Sequence, residues 1–428
     1  MNKYLSWVEI KKDALAHNIK EFKRITRHAD GQAGSQVGGQ VGGRSEGSAS
    51  AKVAPCVKSN AYGHGLVETS KTFVEAGADW LTVNALYEAE ELRSAGITVP
   101  IYVMGYTLKS DLKRAWELNV RLVVYTRETI DALAEIADEF SEPINLHIKV
   151  ETGNNRQGVR EEDLLNFAKY ILEKGNGKLR IEGLATHFAN IEDTTDHSYA
   201  FMQLERFKAA GEMLKQNGIN VPVTHCANSA ATILFPETHL DMCRIGISSY
   251  GMWPSKETFV AYQGGRSDGF ELRPAFTWKS VVAQVKKVPK NEFIGYGCSC
   301  RTARDTFVAI VPVGYYDGYD RKLSNNAHVL IHGQRAKLLG RVCMNIIMVD
   351  VTDIAFVQAE DEVVLIGEQS YKSSGSEGSS GSEISSSSEL SSEISSDSIS
   401  PEEFASWIGS INYEVTTRVN DRIPRIFV

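Results

Sequence analysis

Residues 52–65 read KVAPCVKSNAYGHG: an apolar run leads into Lys58, followed by a small polar turn, Tyr62, and His64 bracketed by Gly63 and Gly65. The run has the character of a short buried strand. Asn60, Gly63 and Gly65 break any period after it, which predicts a loop. A lysine where a buried strand gives out has two readings. Its stem can lie along apolar surface with the ammonium in water, the commoner case for a lone lysine. Alternatively, it is an amine kept as a nucleophile for Schiff-base formation. The flanking glycines let a ligand approach the backbone, and Tyr62 offers a phenol to a phosphate.

From Lys52 onward, strands and helices alternate. Apolar strand candidates lie near 52–58, 80–84, 101–105, 121–126, 144–150, 180–187, 222–227 and 242–248. Amphipathic spacing predicts helices between them, over 85–94, 127–140, 161–174 and 199–216. Such an alternation fits a (β/α)8 barrel, and a doubly wound open sheet reads similarly. The unusual residues separate the two. Lys58 follows the first strand, Lys149 and Arg156 lie around the fifth, and His187 follows the sixth. Asn228 and Ser229 follow the seventh, and Arg244 lies in the eighth. A barrel gathers these strand ends into one mouth, whereas an open sheet strings them along a line. The expected fold is α/β, a TIM-type barrel over 51–260 followed by a mostly β domain over 261–428.

That second domain is read from short alternating strands at 276–288, 306–314, 328–333, 335–344, 346–351 and 361–367. A short helix is expected over 401–410, with Pro401 in its first turn, and a closing strand over 411–419. At the other end, residues 1–28 read as a strand (7–10) and an amphipathic helix (11–27) packing with both domains. Two low-complexity stretches interrupt the pattern: 29–50, rich in Gly, Ser and Gln, and 372–400, rich in Ser, Gly and Glu. Neither can bury enough apolar surface to offset its ordering entropy, so both are expected to be disordered insertions.

Length and charge narrow the function. The 428 residues, 42% hydrophobic, suffice for two domains, and a net charge of −8 without a dense basic block argues against nucleic acid. No signal-peptide core or membrane-length apolar run is visible, and six scattered cysteines have no framework or zinc spacing. A cytoplasmic protein with free thiols and no metal site is expected.

Lys58 followed by AYGHG resembles the pyridoxal-phosphate lysine motif of the alanine racemase family, and other segments extend the likeness over all but the two insertions. These are KVETGNNR (149–156), THFAN (186–190), HCANSAA (225–231), DMCRIGISSYG (241–251), IGYGCSC (294–300), VGYYDGYD (313–320), GRVCMN (340–345) and INYE (411–414). The resemblance implies that Lys58 holds pyridoxal 5'-phosphate, with Asn228, Ser229 and the backbone of Gly246 and Ile247 in the phosphate site beside Tyr62 and Tyr413. It implies His187 beside the pyridine ring and Arg244 facing the ring nitrogen. Arg156 would serve the cofactor's phenolic oxygen and the substrate carboxylate, supported by a carbamylated Lys149. A carbamate pairs with a guanidinium where an ammonium repels it.

Tyr296 is then the second catalytic base opposite Lys58, with Tyr315 at the entrance and Met344 donating from its backbone to the substrate. In the family these three come from a neighbouring subunit, so a homodimer with shared sites is implied. The implied reaction is interconversion of L- and D-alanine by two-base α-proton transfer on a pyridoxal-phosphate aldimine, supplying D-alanine for peptidoglycan. A racemase for serine, lysine or several amino acids remains the alternative. A barrel-plus-β decarboxylase would carry a carboxylate where Arg244 stands, and a cofactor-homeostasis protein of the barrel alone would lack Tyr296. Asn345 departs from the family's usual Asp after the methionine.

Overall fold

The computed structural model describes residues 4–27, 50–265, 268–372 and 394–428. The chain forms two compact units, Lys12–Ala275 and a second made of Met1–Lys11 with Phe276–Val428. The N-terminal strand and the helix that follows it fall in different units.

The first unit is built on parallel strands. These are β1 (Lys52–Pro55), β2 (Leu81–Val83), β3 (Ile101–Val103), β4 (Arg121–Val124), β5 (Ile144–Glu151), β6 (Leu179–Ala185), β7 (Val223–His225) and β8 (Met242–Ile245). Strands β2 to β7 pair in order, and β8 pairs with β1 in register Arg244↔Ala54 and Ile245↔Pro55. The circle closes through a Cys56↔Thr82 bridge between the β1 and β2 segments and through Arg244 N–H, which donates to Ala227 O at 3.0 Å beyond β7. Closure leaves the barrel without a free edge.

Its interior holds one layer of side chains from around the ring: Ala54, Trp80, Tyr102, Val123, Val223 and Met242. Helices Leu86–Ser94, Arg127–Glu135, Glu161–Gly175 and Ser198–Gln216 occupy the expected places. Their apolar stripes explain them; Glu161–Gly175 buries Leu164, Phe167, Ala168 and Ile171, one face at helical spacing.

The second unit is largely antiparallel. One sheet runs Gln334–Lys337, His328–Ile331, Glu362–Lys372, Phe276–Val281, Ser6–Ile10, Arg425–Phe427; another joins Gln284–Val288, Thr306–Val311 and Ile347–Asp350. Two expectations fail here. The stretch 411–419 is not a strand: Asn412–Thr417 is helical, because Asn412, Val415, Thr416 and Val419 are buried at helical rather than alternating spacing. The end of the expected 372–400 insertion is ordered too. Ile394–Ile399 pairs with Glu362–Lys372, and Ile399 buries against Leu330 and Val364. Backbone pairing with a neighbouring strand satisfies polar groups that composition alone cannot count. Residues 373–393 and 28–49 lie outside the described residues. The helix Pro401–Ile408 follows as expected, its first turn capped by Ser400 Oγ accepting from Glu403 N–H at 3.0 Å.

Candidate active site

Lys58 opens an unusual turn. Ser59, Asn60, Ala61 and Tyr62 all have φ between 52° and 56°, and Gly63 continues at 85°, so five consecutive residues wind left-handed. Each non-glycine residue there costs about 1–2 kcal/mol, so the neighbourhood must hold the turn in place. Glu88 does much of this. Its carboxylate accepts from Ser59 N–H at 2.6 Å and from the N–H groups of Asn84 and Ala85 at 2.8 and 3.0 Å. Asn60 Oδ1 accepts from Leu66 N–H at 2.8 Å, closing the far side. Tyr250 packs 5.0 Å from the Tyr62 ring and 4.4 Å from His64, and its hydroxyl donates to Cys56 O at 2.6 Å. The result is a lysine placed at the barrel mouth by bonds to the turn that follows it and to the segments around it.

The Tyr62 phenol stands beside a space left by a missing side chain. A Cβ on Gly246 would lie 3.0 Å from Tyr62 Oη and 3.7 Å from Ser229 Oγ. Ser229 Oγ accepts from Gly246 N–H at 2.9 Å and Ser248 N–H at 3.4 Å, so the hydroxyl's own hydrogen is available to an anion. Ser229 begins its helix, but the N-cap is Asn228, whose Oδ1 accepts from Ala231 N–H at 3.0 Å while its amide donates to Glu192 at 2.7 Å. Ile247 follows in the same loop. Tyrosine, serine and bare backbone around a vacated Cβ position fit a phosphate group.

Deeper in the mouth, positive charge gathers. Burial holds Lys149 well below its ordinary pKa, with Arg244 and Arg156 adding to the effect. Burial likewise pushes His187 down, helped by Lys149, Arg244, Arg156 and Lys58. These five sequence-predicted residues therefore share one electrostatic neighbourhood. Glu151 is the nearby carboxylate that opposes the effect on Lys149, and it is engaged by the backbone N–H groups of Gly153 at 2.7 Å and Arg156 at 3.2 Å. A buried amine among cations is suited to carbamylation, which replaces a repelled charge with an attracted one.

Arg244, buried in β8, donates through Nη1 to His225 Nδ1 and through Nη2 to Thr186 O at 2.9 Å and Cys226 O at 3.2 Å. His225 in turn meets His147 at 2.8 Å, and His147 meets Glu182 at 3.2 Å. The sequence reading missed His147, His225, Glu182 and Glu88. One signal was present, since His147 precedes Lys149 by two residues in a strand and so faces the same side.

The remaining predicted residues, Tyr296, Tyr315, Met344 and Tyr413, belong to the second unit. Tyr296 lies in a short turn and is 70% exposed; Tyr315 and Met344 are 44% and 54% exposed. The backbone links two of these segments, as Tyr315 N–H donates to Cys343 O and Tyr316 N–H to Met344 O, each at 3.0 Å. Gly314 permits this, because a Cβ there would fall 2.3 Å from Cys343 O. Tyr413 sits in the helix Asn412–Thr417. Among the described residues, no group of three or more His, Cys, Asp or Glu could hold a metal ion. No helix there is long and apolar enough to cross a membrane.

The alanine racemase N-terminal domain family matches residues 43–254, and the alanine racemase C-terminal domain family matches residues 275–394. An alanine racemase of Methanococcus maripaludis is 37% identical over 99% of this chain and 98% of its own. That of Desulforamulus reducens is 38% identical with the same coverage. Among solved structures, the Bacillus anthracis alanine racemase with bound L-Ala-P superposes with a TM-score of 0.81 at 33% identity, covering 100% of this chain and 96% of that one. The enzyme from D-cycloserine-producing Streptomyces lavendulae gives 0.82 at 28% identity, covering 100% and 98%.

Proposed function

The chain belongs to the alanine racemase family, and from that premise we propose how its own residues carry out the interconversion of L- and D-alanine. The observation that carries the reading is Lys58, held at the end of β1 on a left-handed turn beside the Tyr62–Ser229–Gly246 cradle.

Pyridoxal phosphate, when bound, supplies an aldehyde that takes up an amine and a conjugated ring that accepts the electrons left by a departing α-proton. Tyr62 Oη, the Ser229 hydroxyl and the Ile247 N–H would hold its phosphate. Gly246 contributes mainly by lacking a side chain, because its N–H is already given to Ser229. Asn228 braces the same helix start. His187 would lie along the ring, and Arg244 would offer a permanent donor to the ring nitrogen. Such a donor gives up no proton, so the ring would be a restrained electron acceptor and side reactions would be disfavoured. Arg156 orients the substrate carboxylate, and Lys149, carrying a carbamate, steadies Arg156. Lys58 Nζ takes and returns a proton on one face of the α-carbon, and Tyr296 Oη does so on the other.

Tyr296, Tyr315 and Met344 reach this site from a second copy of the chain, which makes the enzyme a homodimer. Their exposure in the single chain supports this reading. We infer a cytoplasmic enzyme, in keeping with six free cysteines.

Chiral analysis of purified enzyme incubated with L-alanine tests the reaction. An equal mixture of enantiomers is expected, and unchanged L-alanine overturns the reading. Parallel incubations with L-serine and L-lysine measure how strict the enzyme is.

A further inference from the structure

The barrel interior carries a line of hydrogen bonds whose direction is fixed at both ends. At one end is Arg244, which can only donate. Its Nη1 points at His225 Nδ1, so that nitrogen must be bare and the proton of neutral His225 sits on Nε2. Nε2 then donates to His147 Nδ1 at 2.8 Å, which leaves the His147 proton on its own Nε2. That N–H meets Glu182 Oε2 at 3.2 Å, and Arg121 Nε donates to the same oxygen at 3.2 Å. A carboxylate can only accept, so the line ends there. Both imidazoles are fully buried. Burial pushes both below the ordinary histidine range, with Arg244 adding to the effect on each, so both are neutral. Burial raises the Glu182 carboxyl, but its bonds to His147 and the charge of Arg121 outweigh that and hold it ionised.

The fold has made room for this line. Between β5 and β6 the register slips at Leu146/His147: Leu146 faces Ile181 and His147 faces Gly183, so Glu182 is the extra residue of a bulge. Bulges re-aim side chains, and this one brings Glu182 to the ring it serves. A Cβ on Gly183 would lie 2.2–2.5 Å from the His147 ring, so only glycine admits the imidazole. Tyr102 closes the remaining side, 4.8 Å from His147 and 5.2 Å from His225.

We propose that Glu182 is a positioning residue for the racemisation, acting through His147 and His225 to fix which hydrogens Arg244 has left for the cofactor. The guanidinium has five N–H groups. His225, Thr186 O and Cys226 O occupy three of them, and the Nε hydrogen and one Nη1 hydrogen remain. Without an acceptor at position 182, both imidazoles can reverse their tautomers together. His225 would then present an N–H to the Arg244 N–H, and donor would face donor. The guanidinium would turn from its place.

The proposal rests on the reading of Arg244 as the neighbour of the ring nitrogen, but the tautomers do not depend on that reading. They are read from histidine side-chain ¹⁵N spectra of the full-length holoenzyme, assigned with His147→Gln and His225→Gln variants. The expected result is a single neutral form of each, protonated on Nε2. Protonation of either on Nδ1, or of both nitrogens, overturns the relay.

Two substitutions then test its purpose. Glu182→Leu removes the acceptor; a second His225 tautomer should appear, kcat should fall about tenfold with KM for alanine within about twofold, and the cofactor absorbance should shift. Glu182→Gln presents an amide oxygen where Oε2 accepts both bonds, so it should restore one tautomer and most of the lost turnover. Glu182→Leu with mixed tautomers but unaltered kcat and absorbance would overturn the role assigned to Glu182 while leaving the racemase reading intact. Should Glu182→Leu fail to fold, loss of the single tautomer or of turnover in Glu182→Gln overturns the proposal on its own.

Discussion

The two turns that carry the proposed bases are built in opposite ways. The Lys58 turn is left-handed through four non-glycine residues, and it is held by a buried carboxylate, an asparagine side chain and a packed tyrosine. The Tyr296 turn reaches positive φ through Gly295 at 73° and Gly297 at 72°, with Cys298 at 49°, and leaves its tyrosine exposed. Its neighbour is Arg341, whose guanidinium would lie 2.8 Å from a Cβ on Gly297. One base is placed by strain that the surrounding fold opposes. The other rides on a turn that glycine makes easy, and its phenol is left exposed. The difference teaches that a base on each face need not be equally preorganised within a single subunit.

The sharpest way to break that contrast is to remove each base. Lys58→Ala should lower racemisation by more than about 10⁴-fold, since it removes both a nucleophile and a base. Borohydride reduction of the wild type followed by peptide mapping should find the pyridoxyl group on Lys58, and a label on another lysine would displace it from this role. Tyr296→Phe should cost on the order of 10²–10⁴-fold while still exchanging the α-proton of D-alanine, and not of L-alanine, with deuterated solvent. Equal exchange of both enantiomers would rule out one base per face. Mixing the two inactive variants should recover part of the activity, because one hybrid site holds both bases; no recovery after verified exchange would place both bases in one chain.

Stability separates the turns further. Glu88→Ala leaves three backbone N–H groups without their acceptor, and at about 1–3 kcal/mol for each buried loss should lower the urea midpoint sharply. Acid should also act on the barrel unit. His147 and His225 have depressed pKa values in the folded state. Below pH ~6.5 the unfolded chain therefore binds protons that the folded chain does not, and stability falls as pH falls. Each contributes a slope approaching about 1.4 kcal/mol per pH unit, so urea titrations from pH 8 to 5.5 should show it and His147→Gln should reduce it. A flat profile would mean that these imidazoles are charged when folded. The smallest effect belongs to the second turn: Arg341→Ala should change stability by no more than about 0.5 kcal/mol, and a larger loss would show a turn more tightly held than its exposure indicates.

How much of this was legible beforehand follows from what periodicity records. Eight strands and their helices were readable because each buries a stripe or a run. The helix start at Glu161 follows from three acidic residues in its first turn. Lys58, Arg244 and Lys149 stood out because charges seldom sit in apolar strands. The left-handed turn was not legible, since Ser59 and Ala61 give no sign of positive φ; it is the bonds to Glu88 and Leu66, with the packing of Tyr250, that make it tenable. The relay was hidden for a related reason. His147, Glu182, His225 and Arg244 lie far apart in sequence, and a one-residue bulge brings two of them together. The helix at Asn412–Thr417 was misread because β-branched residues outweighed a short helical period.

The seam between β1 and β8 has a consequence for how the enzyme is made. Residues 54 and 244 are hydrogen-bonded neighbours, and the cradle of Tyr62, Ser229 and Gly246 straddles the segments that this pairing joins. Contacts of such long sequence separation are slow to form, and a chain leaving the ribosome has nothing to close against until its eighth strand emerges. The cradle therefore comes into existence as nearly the last event in the assembly of the barrel. If the cradle holds the phosphate of pyridoxal phosphate as proposed, a nascent chain that captures the cofactor has already closed this barrel, and its uptake can serve as a clock for completion.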